Sequence, residues 1–241
     1  MKYSIIIPAR YKSTRLPGKP LVSICDKPMI IRTWEQCIKV VDSKYVYVAT
    51  EDERVEKVCL DYGIQVIMTS DKCLTGTDRV AECATQLDSD LFINVQGDEP
   101  LFNPGDIKLL IDEAQKSPDI VLNGYCSLNS EEQYNSRQIP KVVFDISGKL
   151  LYMSRGPIPS NKEGTFKYGW RQVCAYSFPR KALSLFAQQE QKSPLERVED
   201  IEILRFLELG IKIRMIEMSN DSIPVDNPED IKKVEEIIYS N

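Results

Sequence analysis

The chain opens on a short apolar run, Ile5-Ile6-Ile7, closed by Pro8, which has no N–H to give to a strand ladder. A run with no polar alternation suits a strand buried on both faces of a parallel sheet. From Met29 to Val40 the apolar positions (Ile30, Ile31, Trp34, Ile38) move to helical spacing. Lys44 to Thr50 is β-branched and aromatic, which predicts a second strand. Thr50-Glu51-Asp52-Glu53 then places acids in the first turn of a helix that runs to about Tyr62 and stops at Gly63. Gln65 to Met68 reads as a third strand. Strand, helix, strand, helix at this spacing predicts an α/β fold with a doubly wound, mostly parallel sheet and right-handed crossovers.

The pattern continues with a helix to about Leu87, opened by Thr75-Gly76-Thr77-Asp78-Arg79, where Thr77 or Asp78 can cap it and Gly76 lets backbone approach a ligand. An ordinary capping turn explains the same residues. Asp90 to Gln96 is apolar enough for a central strand. Pro104 to Lys116 reads as an amphipathic helix and Asp119 to Tyr125 as a strand. Asn129 to Gln138 is polar and turn-rich, an excursion from the sheet. Ile139 to Asp145 and Leu150 to Arg155 predict an antiparallel hairpin turning at Ile146-Ser147-Gly148-Lys149. Asn161 to Lys167 is a polar loop, suited to a lid or a dimer contact. Trp170 to Pro179 is a strand, Arg180 to Gln189 a short helix, and Leu195 to Leu209 a longer one with a Val198, Ile201, Leu204, Leu207 stripe ended by Gly210. Ile211 to Met218 and a final helix from Asn227-Pro228 to Tyr239 complete the chain. No repeat or linker divides it, so residues 1–241 are expected to form one domain, with an inserted hairpin region at about 129–170.

Composition narrows the chemistry. The 241 residues are 42% hydrophobic and 28% charged, which is globular rather than disordered. A net charge of −5 argues against a general nucleic-acid binder, so basic residues must act locally. No apolar run approaches the ~20 residues of a membrane span. The first strand begins too early for a signal peptide, and a cytoplasmic location is expected. The seven cysteines form no CxxC pair and fit buried thiols. There is no histidine, which excludes Ser-His-Asp and Cys-His catalysis and histidine metal sites.

Directly past the first strand, Arg10, Lys12, Arg15 and Lys19 stand within ten residues. They repel one another unless an anion sits among them, and guanidinium forks with a lysine point charge suit a polyphosphate. The plainer reading is a solvated basic loop. Its place at the carboxyl end of a buried strand, where open α/β sheets bind ligands, favours the first. The string Gln96-Gly97-Asp98-Glu99-Pro100 occupies the same kind of position after the central strand. An acid there suits Mg²⁺, which takes few carboxylates and leaves its remaining positions to phosphate and water. Asp98 as a helix cap is the alternative.

These strings together resemble the 3-deoxy-manno-octulosonate (Kdo) cytidylyltransferases. The resemblance rests on Pro8-Ala9-Arg10, Ser13-Thr14-Arg15-Leu16-Pro17-Gly18-Lys19-Pro20, Lys27-Pro28-Met29-Ile30, Gly76-Thr77-Asp78-Arg79, Gln96-Gly97-Asp98-Glu99-Pro100, the Ser154-Arg155 before Pro157-Ile158-Pro159, and Val225-Asp226 before Pro228-Glu229-Asp230. It covers nearly the whole chain. It implies transfer of CMP from CTP to the anomeric hydroxyl of a 3-deoxy keto sugar acid, with release of pyrophosphate, in a homodimer formed through the hairpin and the late helix. It implies Arg10, Ser13, Arg15, Lys19, Arg79 and Gln96 as nucleotide contacts and Lys19, Asp98 and Asp226 as catalytic residues. The two aspartates would hold Mg²⁺. Arg155, Gln172, Tyr176 and Glu202 fall on the sugar side. Two sugar-side positions depart from the family pattern: Gln172 replaces a histidine, and Ile203 follows Glu202 where the family has a glutamine. They predict a sugar acid related to Kdo and altered at those contacts, such as a modified Kdo carrying an amino group or a nonulosonic acid. A glycosyltransferase, or a non-catalytic nucleotide-binding protein, are the rival readings. Gly97-Asp98-Glu99 in place of Asp-x-Asp weighs against the first, and retention of Lys19 with both aspartates against the second.

Overall fold

The computed structural model describes residues 1–13 and 15–240; Thr14, inside the basic loop, and Asn241 lie outside the described residues. In chain order the strands are β1 (Tyr3–Pro8), β2 (Ser23–Ile24), β3 (Lys27–Pro28), β4 (Val46–Thr50), β5 (Gln65–Met68), β6 (Leu91–Val95), β7 (Val121–Ser127), β8 (Lys141–Phe144), β9 (Leu150–Ser154), β10 (Trp170–Pro179) and β11 (Ile213–Glu217). The helices are α1 (Met29–Ile38), α2 (Glu53–Asp61), α3 (Gly76–Gln86), α4 (Pro104–Lys116), α5 (Glu131–Asn135), α6 (Arg180–Ala187), α7 (Pro194–Glu199), α8 (Ile203–Glu208) and α9 (Pro228–Ser240).

The main sheet runs β11-β7-β10-β6-β1-β4-β5. β1 lies parallel between β4 and β6, and β5 continues the parallel half beside β4. β10 enters antiparallel between β6 and β7, and the β8–β9 hairpin hangs from its start. The expected doubly wound sheet is therefore present, with one long antiparallel strand in its middle. Consecutive residues of β1 feed opposite faces: Ile5 and Ile7 join a core with α1, α2 and α4, while Ile6 joins one with α3, α6 and α8. That two-sided burial is why β1 and β6 carry no polar alternation.

Three expectations are corrected. The polar excursion holds a short helix, α5, capped by Ser130 accepting from the Gln133 N–H. α3 is capped by Thr75, whose Oγ accepts from the Asp78 N–H, rather than by Thr77 or Asp78. The predicted helix over Leu195–Leu209 is two helices, with Asp200 between them at φ 52°. Val198 of the expected stripe points to solvent, 83% exposed. The break has a physical cause. Glu196 and Arg205 are both fully buried and their side chains meet at 2.6 Å. Residues nine apart on a straight helix stand about 13 Å apart along its axis, so the chain must fold back for this pair to form.

Candidate functional site

The carboxyl ends of β1 and β6 come together tightly. A Cβ on Gly97 would lie 2.7 Å from the carbonyl oxygen of Pro8, so only glycine allows the loops after the two strands to touch. A third segment, residues 222–226, crosses the same edge. Val225 N–H donates to the Asp98 carbonyl at 2.9 Å, and Ser222 hydrogen-bonds the buried carboxyl of Glu99. These contacts bring Asp98 and Asp226 side by side although 128 residues (226 less 98) separate them in sequence.

Lys19 stands between the two acids. Its Nζ donates to Asp98 Oδ2 at 2.6 Å and to Asp226 Oδ1 at 2.9 Å, and Arg15 Nη2 reaches the same Asp226 oxygen at 2.8 Å. Burial alone would lower the Lys19 pKa; the charges and hydrogen bonds of Asp98 and Asp226 outweigh it and raise the pKa. Burial pushes the Asp226 carboxyl up, and Lys19 with Arg15 overcomes this and holds it below its ordinary value. Glu99 forms no ion pair among the described residues, and the more distant charges of Arg171 and Lys19 only partly offset its burial. Burial, then the charge of Asp98, pushes its carboxyl up to about 8.

The basic loop lines a concavity of about 510 Å³ with Arg10, Tyr11, Lys12, Ser13, Pro17, Gly18 and Arg54. Ser13 Oγ accepts from the Leu16 N–H at 3.3 Å, closing a turn inside the loop. Arg54, at the start of α2, stacks on the Tyr11 ring at 3.5 Å. Arg10 and Arg15 are exposed, open to an anion.

The remaining expected residues separate into those facing the cleft and those working beneath it. Gln96 follows β6 directly, and its Nε2 donates to Glu202 Oε1 at 3.0 Å. The other Glu202 oxygen accepts from the Thr77 N–H at 2.9 Å, so a residue expected on the sugar side also binds the nucleotide-side turn. Burial raises the Glu202 pKa, partly offset by that N–H. Arg79 does not reach the cleft. It is 3% exposed, paired with Glu51 at 2.8 Å and hydrogen-bonded to Thr69. Glu51 in turn accepts from the Tyr11 N–H at 2.9 Å, so Arg79 braces the basic loop through Glu51. Arg155 donates to the carbonyls of Glu199, Arg137, Gln138 and Asp200, which engages all three nitrogens of its guanidinium. Gln172 is buried, and its Nε2 donates to Asn123 Oδ1 at 2.9 Å and to the Tyr176 hydroxyl at 3.3 Å. Burial, reinforced by the nearby Cys174, Glu202 and Asp98, raises the Tyr176 pKa far above its ordinary value. Ile203 is fully buried in the hydrophobic core, so of the two departures only Gln172 brings a polar side chain into a hydrogen-bond network, with Asn123 and Tyr176.

Several supporting residues were missed in the sequence. Asn123 plugs the bulge of β10, donating to the carbonyls of Val173 and Ala175 at 3.0 Å each. Glu196 and Asp78 close on Arg205, which is 0% exposed. The signal for Arg205 was available: a charge inside the apolar run Ile203-Leu204-Arg205-Phe206-Leu207 needs a buried partner. Among the described residues no cluster of three or more metal-ligating side chains exists. Two neighbouring carboxylates still fit Mg²⁺, which completes its shell with substrate phosphates and water.

A sheet that gathers a cationic loop and two acids at the carboxyl ends of its strands has the architecture of the α/β nucleotidyltransferases. Residues 4–213 match the family model described as cytidylyltransferase, and the chain belongs to that family. It is 40% identical over 97% of its length to the mitochondrial 3-deoxy-manno-octulosonate cytidylyltransferase of Arabidopsis thaliana, covering 82% of that protein. It is 39% identical to the 8-amino-3,8-dideoxy-manno-octulosonate cytidylyltransferase of Shewanella halifaxensis, over 96% of each chain. Among solved structures it matches a CMP:2-keto-3-deoxy-manno-octonic acid synthetase complexed with CTP, with a TM-score of 0.91 and 35% identity over 100% of this chain and 99% of that one.

Proposed function

We propose that the protein transfers CMP from CTP to the anomeric hydroxyl of Kdo, releasing pyrophosphate. The observation that carries this reading is the Asp98–Lys19–Asp226 assembly at the carboxyl edge of β1 and β6. The hydroxyl oxygen attacks the α-phosphorus in line; the new P–O bond forms as the bond to the β-phosphate breaks, and the hydroxyl proton leaves to solvent. Such a transfer needs positioning and charge neutralisation rather than covalent help. Arg10, Arg15 and Lys19 hold the triphosphate and the leaving pyrophosphate, with Ser13 shaping the loop beneath them. Asp98 and Asp226 would hold Mg²⁺, which lowers the pKa of the attacking hydroxyl and neutralises phosphate charge when bound. Because Lys19 ties both acids in the free protein, entry of the triphosphate draws the ammonium to phosphate and frees them. Gln172 and Tyr176, hydrogen-bonded to each other beneath the cleft, support the sugar side. Magnesium and a homodimer belong to the same proposal on the strength of the resemblance; light scattering on the purified protein reads the second.

One observation favours a second acceptor. Relatives named for Kdo and for its 8-amino analogue match this chain almost equally, at 40% and 39%. Measuring kcat/KM for both acids by pyrophosphate release decides between them. Kdo is expected to be preferred; a preference for the 8-amino acid by roughly tenfold or more would replace the Kdo reading with the amino-sugar one.

A further inference from the structure

Gln96 stands where the two halves of the cleft meet, and its side-chain amide is fixed from two directions. Nε2 donates to Glu202 Oε1 at 3.0 Å. Glu202 accepts there as it does from the Thr77 N–H, so the two ends of the amide are told apart: the NH₂ faces Glu202 and Oε1 is turned away from it. Gly76 supplies the second restraint. A Cβ there would lie 3.1 Å from both Nε2 and Oε1 of Gln96, so the amide rests against the bare glycine. Glu202 is itself held, because Oε2 accepts from the Thr77 N–H at 2.9 Å in the first turn of α3. Arg205, three residues on and therefore on the same side of α8, reaches the same turn and donates to Asp78 at 2.8 Å. Glu196 locks that guanidinium with contacts of 2.6 and 2.7 Å. The start of α8 thus grips the start of α3 at two points, with the Gln96 amide clamped beside them.

We propose that Glu202 is a positioning residue that fixes the Gln96 amide, so that Gln96 offers its carbonyl oxygen to the substrate and selects a hydrogen-bond donor there, a hydroxyl or an amino group. The proposal rests on the nucleotidyl-transfer reading and differs from a direct sugar contact by Glu202. Glu202→Gln is the informative change. A glutamine at 202 that still accepts from Thr77 turns its own NH₂ towards Gln96, and Gln96 must then reverse and present NH₂ to the substrate.

A double-mutant cycle with Glu202→Gln and Gln96→Met tests it. Binding of CTP is read by calorimetry, binding of Kdo in the presence of a non-hydrolysable CTP analogue, and kcat and KM by pyrophosphate release. Glu202→Gln alone should weaken one substrate about tenfold, the scale of one hydrogen bond, with kcat changed far less. In the Gln96→Met background the same change should add less than about twofold, since Glu202 acts through Gln96. The substrate whose affinity moves carries the donor, whether CTP or the sugar acid. A Glu202→Gln effect that persists undiminished in the Gln96→Met background, or no effect on either substrate, would overturn the proposal. Should Glu202→Gln not fold, Glu202→Asp, which keeps the acceptor but shortens its reach, takes its place in the cycle with the same expectations. Absence of turnover in the wild type would contradict the reaction reading, while the calorimetric cycle would still decide this inference.

Discussion

Lys19 is the residue on which the site turns. One ammonium touches two carboxylates that repel each other without it, and the proposal makes those two acids the metal site. Asp98→Asn and Asp226→Asn should each lower kcat by at least ~10², because each removes charge stabilisation that a neutral amide cannot replace. Near-normal turnover of either variant at saturating Mg²⁺ would remove that acid from the metal site. Glu99 makes a separate prediction about pH. Its carboxyl is raised, so the folded protein keeps a proton that the unfolded chain has released between the ordinary value of 4.5 and about 8. Stability from this group is therefore present below that window and is lost as pH rises through it. Glu99→Gln, which mimics the protonated form, should flatten this decline when unfolding is measured from pH 5 to 9 without divalent ions; an identical pH dependence in both proteins would contradict the assignment. Asp98 was legible because it stands just past a buried strand, and Lys19 because it closes the cationic loop that follows one. Arg79 was legible only as an arginine. That Glu51 would take it, and hand its order on to Tyr11, depends on the packing of β4 and its loop against α3.

At the scale of elements, local patterns found most strands and helices because the sheet is buried on both faces and its helices bury one stripe each. The failures share a cause. The α7–α8 break, the Thr75 cap and the small helix α5 are fixed by polar side chains meeting polar partners far away in the chain or within a single turn, and hydrophobic periodicity carries no record of these. Arg205 is the clearest case, since its ion pairs with Glu196 and Asp78 hold two helices against α3 with almost no exposure to water. Replacing one member of such a buried set leaves charge uncompensated. Arg205→Met should cost about 3–5 kcal/mol of stability in urea unfolding. A cost below about 1 kcal/mol would show that Glu196 and Asp78 find other partners and that the clamp is not held by this charge.

For the whole molecule, the order of strands explains why residues from three distant segments converge. β1 and β6 are adjacent and parallel, so the loops after them open on the same edge, and the segment after β11 returns across that edge to deliver Asp226. The parallel half of the sheet was readable from alternating elements. The antiparallel entry of β10 between β6 and β7 was not, because strand direction depends on long-range pairing rather than on composition. The same holds for the division of labour in the cleft: the sequence brought forward Gln96 and Glu202 as contacts on opposite sides, and the fold joins them by a hydrogen bond. The central claim is that this edge performs CMP transfer with the Asp98 and Asp226 carboxylates as its metal site. ³¹P NMR of the purified protein with CTP, Kdo and Mg²⁺ tests it directly. The account predicts loss of the CTP triphosphate signals with matching growth of a phosphodiester and of free pyrophosphate, abolished when Mg²⁺ is chelated and nearly so in Asp98→Asn. Formation of CDP and orthophosphate, or an unchanged CTP spectrum beside intact folded protein, would contradict it.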